Sequence, residues 1–115
     1  MNLYGNWRPV RAELDGQEAP AMALDRMEMV FSEQSYLVRF AGEVHDHGVW
    51  SVSATTLILT GQHGANDGRE IPAIYQLAGD RLRVCFGLDG TVPAEFKTGV
   101  NSQRYLVTYR RNSEA

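Results

Sequence analysis

The fold of this chain is decided by residues 71–86, which read IPAIYQLAGDRLRVCF. In both halves of the stretch apolar side chains recur at every second position: Ile71, Ala73, Tyr75 and Leu77, then Leu82, Val84 and Phe86. A period of two is typical of a β-strand with one buried face, because successive side chains point to opposite sides. Ala78-Gly79-Asp80 between the halves is a tight-turn sequence. The stretch therefore predicts an antiparallel β-hairpin.

The same alternation continues outward through nearly the whole chain. Asp15-Gly16, Ala41-Gly42 and the glycine-rich stretch 61–68 separate the alternating runs as turns or loops. Only residues 20–26 favour a helix, where Pro20 suits the first helical turn. The patterns predict eight strands, at residues 6–14, 27–32, 35–41, 43–53, 56–61, 69–78, 81–87 and 104–111.

Short connections between these strands predict neighbouring antiparallel pairs in a meander. Such a meander with one apolar face forms either two packed sheets or a closed barrel, and closure removes the exposed edge strands. The sequence thus predicts an all-β fold, an eight-stranded antiparallel up-and-down barrel in a single domain, residues 1–115. A barrel of this size is either filled by its own side chains or holds one small ligand.

The composition is that of an ordinary globular domain, with 115 residues, 43% hydrophobic and 22% charged. A net charge of −3 argues against a nucleic-acid-binding protein, which needs a basic face. Cys85 is the single cysteine, so no internal disulfide forms, and no apolar run is long enough to span a membrane. Residues 1–5 lack the features of a signal peptide. The chain as it stands is expected in the cytoplasm, and outside it if a leader was removed.

Short motifs distributed along the chain resemble those of a known family. Gly5-Asn6-Trp7 resembles the Gly-x-Trp signature of lipocalins. The full set resembles a small lipocalin-like domain family abundant in Planctomycetes, and comprises Gly5-Asn6-Trp7, Glu13-Leu14-Asp15-Gly16, Gly48-Val49-Trp50, Ile74-Tyr75-Gln76-Leu77, Gly79-Asp80-Arg81-Leu82, Val84-Cys85-Phe86, Pro93-Ala94-Glu95-Phe96 and Arg111. The resemblance implies a lipocalin-like barrel. It implies no activity, because the family has none assigned.

Trp7 and Arg111 are predicted to form a structural plug. The parity of Tyr105, Val107 and Tyr109 brings Arg111 to the inner face at the end of the last strand. If the first and last strands pair, the guanidinium lies over the indole, a contact worth about 0.5–2 kcal/mol. In lipocalins such a pair closes one end of the barrel. We interpret the pair as structural rather than as a ligand contact.

The strand segment His45-Asp46-His47 is the most plausible metal site in the sequence, because histidines at i and i+2 project to the same side. Val44, Trp50 and Val52 define the inward parity, however, so both histidines are expected outside, and we predict no metal site. Cys85 has the outward parity of its strand and is expected to pack as an inert thiol beneath residues 92–96.

Arg11 and Glu13 share the parity of Trp7 and would bring two charges into the lumen. A bulge near Pro9 would reset the strand so that Val10, Ala12 and Leu14 face inward instead. Without that bulge, Arg11 is the residue best suited to hold an anionic ligand.

The expected lumen carries many aromatic side chains, and these suggest two functions. In a ligand-binding module, Tyr36, Trp50, Tyr75 and Tyr105 would contact a small apolar or amphipathic ligand at the open end, together with residues 16–26 and 88–103. In a protein-interaction domain of inhibitor or immunity type, the same side chains would simply fill the barrel. The sequence predicts no catalytic residues, no cofactor and no enzymatic activity.

Overall fold

A computed structural model describes residues 3–112. Within that range lie nine strands and one helix, in chain order β1 (Gly5–Leu14), β2 (Gln17–Glu18), α1 (Ala21–Leu24), β3 (Met27–Phe31), β4 (Ser35–Phe40), β5 (Glu43–Ser53), β6 (Thr56–Gly64), β7 (Glu70–Ala78), β8 (Arg81–Gly87) and β9 (Arg104–Arg111). The eight predicted strands and the helical turn after Pro20 are confirmed.

The strands form one closed antiparallel meander. Each of β3 to β8 pairs with the next strand along the chain, β1 pairs with β3, and β1 also pairs with β9 to close the barrel. The lipocalin-like eight-stranded barrel predicted from the sequence is therefore confirmed. The extra strand β2 pairs only with β1 and lies outside the barrel. It was not predicted because a strand of two residues is too short to show alternation.

The barrel has two ends of different character. At the closed end, short turns join β3 to β4, β5 to β6 and β7 to β8, and Trp7 lies opposite Arg111. At the open end lie α1, the β4–β5 and β6–β7 connections and residues 88–103. Among the described residues, no helix is long and apolar enough to cross a membrane.

The closed half of the lumen is filled by side chains. The following residues have no exposed surface: Trp7, Leu57, Ala73, Leu82, Val84, Cys85 and Val107. All except Cys85 belong to the main hydrophobic cluster, because Cys85 projects from the other side of its strand. Dense packing leaves little space between these side chains.

The predicted bulge in the first strand is present. Pro9 lies opposite Tyr109 whereas Arg11 lies opposite Thr108, so Val10 is the extra residue. The shift turns Ala12 inward and Arg11 outward, as expected for a bulge near Pro9. The expectation that Val10 and Leu14 also face inward was wrong, since they are 51% and 45% exposed. Val10 protrudes because it is the bulged residue itself, and Leu14 ends the strand.

Two further bulges shape the open end of β5 and β6. In β5, His45 is the bulged residue and has no partner in the pairing with β4. In β6, Gln62 is the bulged residue and has no partner in the pairing with β5. They lengthen this hairpin, so β6 continues beyond its predicted end at residue 61. Val44 was expected inside but is 55% exposed, because it lies beyond the bulge at the strand end.

Candidate ligand site at the open end of the barrel

A cavity of about 210 Å³ lies inside the open end of the barrel. Its apolar wall comes from strands around the barrel and is formed mainly by Met27, Met29, Val38, Leu59, Ile71 and Phe86. Tyr105, Tyr109 and Leu88 contribute from the side of β9. The polar groups gather on one side, at His45, Asp46 and Asn66. A cavity with one polar side and apolar walls suits an amphipathic molecule.

Asp46 is the most unusual residue of this site. Its side chain is charged, yet the residue is only 3% exposed. Oδ2 accepts hydrogen bonds from the Tyr36 hydroxyl at 3.0 Å and from Asn66 Nδ2 at 2.9 Å. Oδ1 accepts one from the Asn66 backbone N–H at 3.2 Å. These bonds offset the cost of removing the carboxylate from water.

Tyr36 holds Asp46 from inside the core. The pKa of Tyr36 is raised well above its usual value, first because the phenol is buried and then because its hydroxyl bonds to the Asp46 carboxylate. Both effects favour the neutral phenol, since a phenolate would lie beside a carboxylate. Tyr36 therefore stays a proton donor, and its bond to Asp46 is charge-assisted.

The β6–β7 connection positions Asn66 because two glycines allow a tight turn. A Cβ atom on Gly61 would collide with the backbone carbonyl of Asn66, and Gly64 has a positive φ of 92°. The turn is closed by hydrogen bonds from Ala65 N to His45 O at 3.1 Å and from Gly68 N to Gly61 O at 3.0 Å. The backbone thus folds back over β5 and brings Asn66 onto Asp46.

Tyr105 and Tyr109 supply the aromatic part of the wall. Tyr105 stacks on Phe86 with ring centroids 5.8 Å apart. Burial raises the pKa of both phenols, most strongly for Tyr109. Both therefore present neutral hydroxyl groups at neutral pH.

Residues 88–103 join β8 to β9 at the open end and then pack against the outer wall, where two contacts hold them in place. Arg104 bonds Asp89 at 2.8 Å, and hydrogen bonds from Thr91 together with Arg104 lower the pKa of Asp89 to about 2. Further along the segment, the guanidinium carbon of Arg83 lies 4.1 Å from the centre of the Phe96 ring. Of the two segments expected to contact a ligand, residues 88–103 contribute Leu88 to the cavity wall, whereas residues 16–26 contribute no wall residue.

The closed end is sealed by the predicted pair of Trp7 and Arg111. The Arg111 guanidinium carbon lies 4.2 Å from the centre of the Trp7 ring. Trp7 Nε1 donates to Leu3 O at 2.8 Å, and Arg111 bonds Tyr4 O and forms an ion pair with Asp80 at 3.4 Å. A Cβ on Gly5 would lie 3.1 Å from Arg111 Nη1, which explains the glycine of the Gly-x-Trp motif.

The five residues predicted as ligand contacts are not brought together. Tyr105 lines the cavity and Tyr36 touches it through Asp46. Trp50 lies toward the closed end, where its Nε1 donates to Ser32 O at 2.9 Å, and the Tyr75 hydroxyl bonds Ala54 O at 3.1 Å. Arg11 lies outside the barrel and bonds Glu18 at 3.1 Å.

The sequence reasoning missed Asp46, although the signal was present. Asp46 shares the even parity of Trp50 and Val52, and that parity places it inside the barrel. The flanking histidines drew attention to metal chemistry instead. An acidic residue at an inward position of a strand needs hydrogen-bonding partners inside the barrel, and that requirement was the signal.

The remaining candidates lie outside the lumen, except for His45 at the edge of the cavity. The ring of His47 lies tilted against that of His63 on β6, with ring centroids 4.7 Å apart. Within residues 3–112, no three histidine, cysteine, aspartate or glutamate side chains cluster as metal ligands do. Cys85 is buried beneath residues 88–103, its Sγ 3.8 Å from Lys97 O, and burial raises the pKa of its thiol.

Comparisons with known proteins agree with the fold. The chain superposes on the crystal structure of an uncharacterized protein from Bacteroides eggerthii with a TM-score of 0.60 over 96% of this chain and 100% of that one. This likeness shows the fold alone, because the two sequences are 10% identical. No protein-family model and no curated protein matches the sequence. Membership of the small lipocalin-like family stays a prediction from its motifs.

Proposed function

We propose that this domain is a non-enzymatic binding module for a small amphipathic ligand, held at the open end of the barrel. The observation that carries the proposal is a buried, hydrogen-bonded carboxylate in the wall of an otherwise apolar cavity. The apolar part of the ligand lies among Met27, Met29, Ile71 and Phe86. Its polar end faces Asp46.

The volume limits the size of the ligand. Drug-sized ligands occupy pockets of about 300–1,000 Å³, whereas a dry cavity of about 150 Å³ admits benzene. A cavity of about 210 Å³ lies between these limits. It suits a single ring or a short alkyl chain, on the order of six to ten carbon atoms. A fatty acid or a retinoid-sized molecule would extend out of the cavity into solvent.

The chemistry of Asp46 selects the polar end of the ligand. A carboxylate offers about four acceptor sites and no donor when it is ionised. Tyr36 and Asn66 fill three of them. The remaining site faces a group that donates a hydrogen bond, and a positively charged amine gains the most from it. We therefore expect a primary amine to bind better than an alcohol or a carboxylic acid of equal length.

The test is a titration with hexylamine, hexanol and hexanoate, followed by NMR of the methionine methyl groups. Met27 and Met29 line the cavity, so their signals should shift and saturate with hexylamine. Met22 lies outside the cavity wall and is 73% exposed, so it is the internal control. Native mass spectrometry of freshly purified protein adds a search for a ligand that is already bound.

Variants distinguish binding in the cavity from surface attraction. Asp46→Asn should weaken hexylamine binding about tenfold, since it removes the charge of a charge-assisted bond. Asp67→Asn in the same connection is the matched control, because Asp67 is exposed and does not line the cavity. Equal shifts with all three probes, or none in Met27 and Met29, would overturn the proposal.

The alternative from the sequence, a protein-interaction domain, is supported by a different observation. The closed half of the barrel is filled, and the outer wall carries an unusual group of arginines. The two functions involve different surfaces and are tested separately.

A further inference from the structure

Five arginines project from the outer wall formed by strands β1, β9 and β8. We call this surface the arginine face; it comprises Arg8, Arg11, Arg81, Arg83 and Arg110. These residues are half of the ten arginines in a chain of net charge −3. The overall composition therefore conceals a strongly basic surface, which arises only when β1 and β9 close the barrel.

The strand register arranges the arginines in two adjacent rows. In the first row, Arg110 lies directly opposite Arg8 on one side and Arg81 on the other. In the second row, Thr108 lies between Arg11 and Arg83 in the same way. Directly opposed residues on neighbouring strands lie about 4.5–5.5 Å apart at Cβ. Like charges at that separation destabilise a sheet.

The first row has no internal compensation. Arg8, Arg81 and Arg110 are exposed, and no carboxylate in the part of the chain that the structure describes pairs with any of them. A row of three uncompensated arginines lowers stability without contributing to the core. An anion from another molecule, bound to the row, would relieve the repulsion among these three arginines.

The second row is ordered and borders a groove. Arg83 is fixed by its contact with Phe96 and by a hydrogen bond to Gln76 Oε1 at 2.8 Å. Arg11 forms ion pairs with Glu18 at 3.1 Å and with Glu13 at 3.8 Å. Together with Lys97 and the acidic Glu13, Arg11, Arg83 and Phe96 line a groove of about 310 Å³ next to the first row. Arg83 has no carboxylate partner among the described residues, and because its side chain is already fixed it loses little freedom when it binds one.

We propose that the arginine face binds an acidic, extended segment of a partner protein. Each guanidinium can donate two parallel hydrogen bonds to a carboxylate. In an extended peptide, side chains at alternate positions lie about 6.6 Å apart, which is also the spacing of Arg81 and Arg83 along β8. The face therefore fits a segment with acidic residues at every second position.

Two observations favour a protein partner over a nucleic acid. The Phe96 ring at the groove is covered by Arg83, so it offers no free platform on which a base can stack. Val10 is 51% exposed and protrudes between Arg8 and Arg11. Arginines around an exposed apolar side chain are typical of protein interfaces, in which arginine is enriched and lysine is depleted.

The experiment measures binding of labelled probes to the full chain by fluorescence anisotropy. The probes are a peptide of alternating glutamate and serine, a peptide of the same composition with its glutamates in one block, and oligothymidylate of equal charge. The alternating peptide should bind most tightly at low ionic strength, and its affinity should fall as salt is added. Tighter binding of oligothymidylate, equal binding of the two peptides, or no binding of the alternating peptide would overturn the proposal.

Variants test whether the face itself is responsible. Arg110→Gln removes the centre of the first row and should weaken peptide binding about tenfold. Arg69→Gln is the matched control, since Arg69 is exposed on the β6–β7 connection at the open end, where it bonds Leu88 O at 2.8 Å, and lines no part of the face. Because Arg110→Gln relieves repulsion, its melting temperature should equal or exceed that of the parent. Equal weakening by both variants, or a lowered melting temperature for Arg110→Gln, would contradict a binding role for the row.

Discussion

The Tyr36 hydroxyl donates a hydrogen bond to Asp46 Oδ2 over 3.0 Å inside the barrel. The bond joins the filled core to the cavity at the open end, because Tyr36 is 1% exposed and Asp46 forms part of the cavity wall. It also joins neighbouring strands, β4 and β5. The energetics of this pair lead to the first prediction.

Tyr36→Phe should destabilise the domain by about 1–3 kcal/mol, the cost of leaving a buried charged acceptor without one of its donors. Urea unfolding measures the change. Tyr105→Phe is the matched control: its hydroxyl lies in the same cavity region without a bond to Asp46, so a loss below about 0.5 kcal/mol is expected. Equal losses in both variants would show that the Asp46 bond contributes nothing specific.

Alkaline pH should unfold the domain as tyrosines ionise. The pKa values of Tyr36, Tyr75, Tyr105 and Tyr109 are raised above the ordinary value of 10.0. A raised folded-state pKa gives stability that is fully present below the unfolded-state value and is lost as the pH rises above it. Urea melts should therefore show falling stability above about pH 10. Tyr109→Phe should reduce the slope, and stability that stays constant up to pH 12 would contradict the prediction.

Trp7→Ala should cost about 3–5 kcal/mol of unfolding free energy, the usual loss for a deleted buried aromatic side chain. Trp7 has no exposed surface, and Arg111 lies over its ring. Gly5→Ala should also destabilise, because its φ is +124° and the new Cβ would press on Arg111. A loss below about 1 kcal/mol for Trp7→Ala in urea would refute the plug at the closed end.

The double variant His45→Ala with His47→Ala should leave metal content and stability unchanged, to within about 0.5 kcal/mol. The ring of His47 contacts that of His63 at a tilt, and the described residues form no cluster of three metal ligands there. Elemental analysis of protein purified without a histidine tag is the measurement. Stoichiometric zinc or copper that disappears in the double variant would establish a metal site.

Cys85 should react slowly with a thiol reagent in the folded protein. Burial raises the pKa of its thiol, and residues 88–103 cover it, so little thiolate is available near neutral pH. Phe96→Ala should accelerate the reaction by loosening the contact with Arg83 that holds this segment down. Parent protein that reacts as fast as free cysteine would show that the cover opens readily.

The alternation of apolar residues was sufficient to predict the strands and the barrel. A strand with one buried face must place apolar side chains at every second position, so its pattern is local and readable. The bulge at Val10 followed from the same rule, because Arg11 and Glu13 would otherwise bring charges into the core. The contact of Arg111 with Trp7 followed from the parity of β9 and from closure of the barrel.

Three features were decided only by the tertiary structure. The volume of the cavity depends on how side chains from separate strands pack, and a few methyl groups separate a filled barrel from a hollow one. The hydrogen bonds of Asp46 depend on a turn that brings Asn66 back over β5. The arginine face joins residues from opposite ends of the sequence, since Arg8 and Arg110 become neighbours only when β1 pairs with β9. Local periodicity determines which side of a strand is buried, whereas juxtaposition of distant residues depends on register and closure, which no single segment encodes.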